Sequence, residues 1–145
     1  LIWLTIGLLL VLPLVLKAAR GTEMQRNYPQ VRHMPWSMSV RAATGLAWGV
    51  YLLGYEFFFR GVLTYGLVKG WGLGPGLAAM VLFYAVVHYP KGKQETLGCI
   101  PMGMFFGLHS LYGGGIVGPW LLHLAIAIVG ENAAAAWGRR AQGAK

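Results

Sequence analysis

Residues 42–68 form a long apolar run, and in its middle lies Gly54-Tyr55-Glu56-Phe57-Phe58-Phe59-Arg60-Gly61, which carries a carboxylate and a guanidinium. An ionisable side chain at bilayer depth costs about 2.5–3.5 kcal/mol on insertion scales, so it is expected to face a protein interior or a wet cavity and to have a role. A spacing of four sets Glu56 and Arg60 on one helix face, where they can pair. In lipid the backbone must satisfy its own hydrogen bonds, so a run of this length is expected to be helical.

Four further apolar segments flank this one: Leu1–Leu16, Leu73–Tyr89, Leu97–Tyr112 and Ile116–Gly130. At 1.5 Å per residue the first is slightly short of a hydrocarbon core ~30 Å thick. It lacks the basic flank of a signal peptide and reads as a helix whose beginning is missing. Gly-rich stretches at 70–75 and 113–115 break the helices. Glycines four apart, Gly45/Gly49 and Gly103/Gly107, let helix backbones approach closely. The expected fold is therefore all-α, a polytopic membrane helix bundle of about five transmembrane helices. It forms one domain over 1–145, with a core at 45–130, a solvated loop at 17–41 and a tail at 131–145.

Composition agrees. Hydrophobic residues make up 57% of the 145 and charged residues only 11%, with six Trp and seven Tyr as candidate interface anchors. The net charge of +8 does not point to nucleic acid, because the basic residues lie between apolar runs and not in one stripe. Topology accounts for them. Lys17, Arg20, Arg26, Arg32 and Arg41 fall in the first connection, Lys91 and Lys93 in the third, and Arg139, Arg140 and Lys145 in the tail, against Lys69 on the other side. The positive-inside rule then places loop 17–41 and the tail in the cytoplasm of a bacterial cell, in a multi-pass protein of the cytoplasmic membrane. Cys99, the single cysteine, reads as a small buried hydrophobe.

Three histidines lie in apolar runs: His88 near the end of the third helix, His109 in the fourth and His123 at the centre of the fifth. Glu56, His88 and His123 come from three separate helices, and two chemistries are open to them. A Glu and a His can hold a water and take its proton while the second His donates to the oxyanion. The same three groups can also bind zinc as a His₂Glu site with one open position. The structural alternatives are an ion pair at Glu56–Arg60 that only ties helices together, and a His123 satisfied by a neighbouring carbonyl. His109 is read as structural, loop residue His33 as inert, and the phenylalanines at 57–59 as lipid-facing or packing surface. Glu95, after Pro90 and Gly92, sits on a turn, where it faces water beside Lys91 and Lys93 or else reaches back over the cavity mouth.

The string Tyr55-Glu56-Phe-Phe-Phe-Arg60, then Tyr84-Ala-Val-Val-His88, then Gly118-Pro-Trp-Leu-Leu-His123 resembles the CPBP family, the type II CAAX prenyl proteases also called Abi proteins. The likeness covers roughly residues 45–130. It implies a multi-helix intramembrane endopeptidase in which a glutamate and a histidine activate water, while a later histidine and an asparagine hold the oxyanion. Position by position, the Glu-Glu-x-x-x-Arg motif falls on Tyr55, Glu56 and Arg60, Phe-x-x-x-His on Tyr84 and His88, and His-x-x-x-Asn on His123 and Ala127. Tyr55 stands where the family has its first glutamate, and Ala127 where it has a donor. Glu95 and Glu131 are the acids that can stand in, and Asn132 lies on the face opposite His123.

The resemblance implies catalysis by Glu56, His88 and His123, with Arg60 beside Glu56, on a peptide or protein substrate cut near a membrane-embedded or lipid-modified segment. The preferred mechanism needs no cofactor, and zinc on Glu56, His88 and His123 is the alternative. The expected partners are membrane lipids and that substrate. Two other functions compete: a catalytically impaired binding or immunity protein of the same fold, and a small transporter or proton-relay subunit.

Overall fold

The structure is a computed structural model that describes residues 2–32 and 35–143. His33 and Lys145 lie outside the described residues, as do the side chains of Arg139 and Arg140. Among the described residues seven α-helices follow one another: α1 Ile2–Ala18, α2 Thr22–Asn27, α3 Met38–Glu56, α4 Thr64–Trp71, α5 Leu73–His88, α6 Lys93–Tyr112 and α7 Val117–Gly143. A π-helical segment, Phe57–Leu63, joins α3 to α4, and a 3-10 turn, Tyr89–Lys91, follows α5. The described residues contain no strand, in agreement with the all-α expectation.

Two described helices are long and apolar enough to cross a membrane, Leu73–Lys91 and Val117–Trp137; Leu4–Ala18 is apolar but shorter. They coincide with the third and fifth expected segments. The other expected spans are diluted by their own polar residues: α3 opens with Ser39 and Arg41, and the first turn of α6 carries Lys93 and Glu95.

The chain divides into two compact units, one of residues 1–52 with 122–145, the other of 53–121. In the second unit α5 packs against both α4 and α6. Its core gathers Phe59, Leu77, Met80, Val81, Tyr84, Ala85 and Cys99, so Cys99 is the buried hydrophobe expected. Close approach explains the small residues. A Cβ at Gly107 would stand 2.8 Å from the Met80 side chain and collide with Leu77, and one at Gly76 would stand 2.6 Å from the Leu67 and Val68 backbone.

The π-helical segment is built at the charged motif itself. Widening the helix leaves carbonyls without their usual i→i−4 donors. The Phe59 carbonyl accepts instead from the backbone N–H of Thr64, and side chains add further donors. The Thr64 hydroxyl donates to the Phe59 carbonyl (2.7 Å), and the Ser110 hydroxyl donates to the Arg60 carbonyl (3.0 Å). Tyr65 in turn donates to the Ser110 carbonyl at 2.7 Å, tying α4 to α6. Of the phenylalanines, Phe57 and Phe58 are exposed at 58% and 52% while Phe59 is buried, so only the third of the run is packing surface within the unit.

In the first unit Gly45 and Gly49 of α3 face Ile128 and Leu124 of α7 at ordinary contact distances. Stretch 17–41 corrects an expectation. Its composition suggested a solvated loop, yet it contains α2, and Ala19, Tyr28 and Trp36 are buried. The reason lies in its neutral residues. The Gln25 amide donates to the carbonyls of Ala19 (2.7 Å) and Ala134 (3.3 Å). The Gln30 backbone N–H donates to the Glu131 carboxylate at 3.1 Å, and the Arg20 guanidinium stacks on Trp137 at 4.7 Å. Beyond the fifth expected segment α7 continues through the tail to Gly143, since the four alanines 133–136 are the strongest helix formers available.

Candidate functional site

Tyr55, Glu56, Arg60, Tyr84 and His88 lie in the second unit, and the structure links them through direct contacts. The Arg60 Nε stands 3.2 Å from a Glu56 carboxylate oxygen, with both side chains fully buried. The pairing foreseen from the i, i+4 spacing is present, and it sits where the π-helical segment begins. Aromatic faces complete the surroundings of the cation. The Arg60 Cζ lies 4.0 Å from the Tyr84 ring centre, 5.0 Å from Phe106 and 5.8 Å from Phe59. A desolvated cation–π contact is worth about 2 kcal/mol, so the rings offset part of the cost of burying the charge.

His88 ends α5 and is 6% exposed. Its Nδ1 lies 2.8 Å from the carbonyl oxygen of Tyr84, one turn earlier. A carbonyl can only accept, so Nδ1 carries the proton and the lone pair of the neutral ring sits on Nε2. The Tyr55 hydroxyl is a longer 3.4 Å from the same Nδ1, and the Tyr55 ring stacks against Phe59 with centroids 4.6 Å apart. Tyr55 thus stands beside His88, in the place the resemblance gives to a carboxylate. Tyr84 is the hub: its ring takes the guanidinium, its carbonyl orients the imidazole, and its ring centre is 4.6 Å from that of His88.

The remaining candidates lie elsewhere. His123, partly buried, and Ala127 belong to α7 and to the first unit. Glu131, also in that unit, is 1% exposed, and its carboxylate accepts from the Trp48 indole N–H (3.1 Å) and the Gln30 backbone. Those bonds give it a structural use. Asn132 is likewise engaged, accepting from Arg41 and donating to the Ile128 carbonyl at 2.8 Å. Glu95 occupies the first turn of α6, not a free turn, and its carboxylate is 3.8 Å from the Lys91 ammonium. His109 packs against Gly113 and Gly118, in keeping with a structural role. Within either unit the described residues hold no group of three His, Cys or Glu placed to bind a metal ion.

Sequence reasoning did not single out Thr64, Phe106 or Ser110 for the site. The signal was there for the last two: Gly103, Phe106, Gly107 and Ser110 follow one another at helical spacing, so they share the face of α6 on which the glycines mark close packing.

A family model described as type II CAAX prenyl endopeptidase Rce1-like matches residues 37–129. Neither the comparison with curated proteins nor that with solved structures returned a match. The matched stretch contains Tyr55-Glu56, Arg60, Tyr84, His88 and His123, the positions on which the sequence motifs fell. The chain belongs to the Rce1-like family of type II CAAX prenyl endopeptidases, a family of membrane-embedded proteases.

Proposed function

We propose that the chain is an intramembrane endopeptidase that hydrolyses a peptide bond near a membrane-embedded or lipid-modified segment of its substrate. One observation carries this beyond family membership: the buried His88 is held with its proton on Nδ1, which aims an Nε2 lone pair away from the helix carbonyl as a base requires. In the proposed reaction His88 and Glu56 orient a water, and its proton passes to the Nε2 of His88. The water oxygen bonds to the carbonyl carbon, and His123 donates to the oxygen that gains the electron pair. When the tetrahedral intermediate collapses, the C–N bond breaks and the leaving amine takes the proton from His88. Arg60 fixes the Glu56 carboxylate. Glu56, His88 and His123 are also the set that would hold zinc, which would polarise the scissile carbonyl and acidify the water.

A second reading, a family member that binds a partner without cutting it, is favoured by the engagement of Glu56 with Arg60 and by Tyr55 and Ala127. We place the protein as a multi-pass protein of a bacterial cytoplasmic membrane, with segment 17–41 and the chain's end on the cytoplasmic side. Its partners are membrane lipids and the peptide or protein substrate.

The test is cleavage of membrane-tethered peptides by the purified chain in nanodiscs, with Glu56→Gln, His88→Ala and His123→Ala beside it. We expect each variant to lose roughly 100-fold or more in kcat, the range of general acid–base catalysis. Cleavage that survives all three substitutions rejects the site. A folded chain that cuts nothing supports the binding reading, and proton flux lost in Glu56→Gln supports a transporter. Loss of cleavage on chelation, restored by added zinc, decides for the metal route.

A further inference from the structure

Resting on the reading just given, we propose that Arg60 is itself catalytic: its two Nη groups donate to the oxygen of the scissile carbonyl as that oxygen becomes an oxyanion. This is the task that Ala127, in the asparagine position of the family motif, has no group to perform.

The Arg60 side chain is fully buried, and neither Nη1 nor Nη2 has a hydrogen-bond partner. Buried polar atoms are nearly always bonded, and a guanidinium offers five donors and no acceptor. The contacts that do hold Arg60 use other parts of the group. Glu56 lies against Nε, and the rings of Tyr84 and Phe106 lie near Cζ, where they attract the charge without satisfying both Nη groups. Aromatic faces and one carboxylate therefore orient the guanidinium while its outer donors await an acceptor, as an oxyanion site requires.

Tyr84 ties this donor to the base. Its ring takes the guanidinium at 4.0 Å and its carbonyl accepts from His88 at 2.8 Å, so both groups are positioned by one residue of α5. The π-helical segment contributes too, since it includes Arg60 and is held by the Ser110 hydroxyl on the Arg60 carbonyl. In the reaction the water oxygen forms its bond to the carbonyl carbon and the π pair moves onto oxygen. Arg60 donates hydrogen bonds to that oxygen and transfers no proton. On collapse the pair returns, the C–N bond breaks, and the amine takes the proton that His88 removed from water.

The experiment uses the full chain in nanodiscs, a tethered peptide, and a phosphonamidate analogue of that peptide as tetrahedral mimic. Arg60→Lys keeps the buried charge but loses the Nη pair. A cavity variant, Arg60→Gly, is assayed with and without methylguanidinium, and thermal unfolding establishes that each variant is folded. We expect Arg60→Lys to lower kcat by roughly 100- to 1,000-fold with KM little changed, and to weaken analogue binding by a comparable factor. Methylguanidinium is expected to rescue Arg60→Gly.

A folded Arg60→Lys that retains kcat within about threefold, or analogue affinity that does not change, overturns the assignment and leaves the peptidase reading standing. If the unaltered chain cuts nothing but binds the phosphonamidate in an Arg60-dependent way, the peptidase reading fails and the oxyanion site stands. Absence of both cleavage and analogue binding overturns both.

Discussion

At the scale of single residues, the Glu56–Arg60 pair decides how any substitution there must be read. Removing one partner of a buried pair costs about 3–5 kcal/mol, because the other charge is left uncompensated. Glu56→Gln is therefore expected to lower thermal stability as well as cleavage, and Glu56→Gln combined with Arg60→Met is expected to regain most of the lost stability but no activity. Thermal unfolding in detergent beside the cleavage assay measures both. His88→Ala leaves the buried Glu56–Arg60 pair intact, so its loss of kcat is expected without a comparable fall in stability. The pair itself was legible in the sequence, since an i, i+4 spacing fixes it within one helix. The environment of the guanidinium was not. Tyr84 and Phe106 come from two other helices, and no local spacing encodes which rings a helix will meet across a packed interface.

At the scale of elements, the segment joining α3 to α4 is the feature that periodicity missed. A run of apolar residues looks the same whether its turns are α or π; the difference lies in which donors its carbonyls find, here the backbone N–H and hydroxyl of Thr64 on Phe59 and the Ser110 hydroxyl on Arg60. Thr64→Val is isosteric and removes one of two donors from a buried carbonyl that keeps the Thr64 backbone N–H, an expected loss of about 0.5–1.5 kcal/mol by thermal unfolding. The glycines were more transparent. Gly103 and Gly107 were read as contact points and prove to be so, whereas Gly76, which was not singled out, meets the backbone of α4. Gly76→Ala is expected to destabilise by about 1–3 kcal/mol, since the added Cβ meets the backbone of α4, which cannot swing aside as a side chain can. Gly66→Ala, with open space at that position, is the matched control and is expected to be neutral or mildly stabilising.

At the scale of the whole molecule, hydropathy identified the helices α5 and α7 well, because their apolar runs carry few polar interruptions. It failed in stretch 17–41, where charges were counted and the neutral Gln25, Tyr28 and Trp36 were passed over. Trp48→Phe tests how firmly this part of the first unit is held. It takes a donor from the buried Glu131 carboxylate, and a loss of about 1.5–3 kcal/mol is expected by thermal unfolding, the range for hydrogen bonds to charged groups. The division of the chain has a consequence for its biosynthesis. Residues 53–121 are contiguous, so once they have left the ribosome that unit has all its parts. The other unit is split into two stretches, one before and one after residues 53–121. Trp48 and the Gln30 amide are made before residues 53–121, and the acid they share, Glu131, only after them.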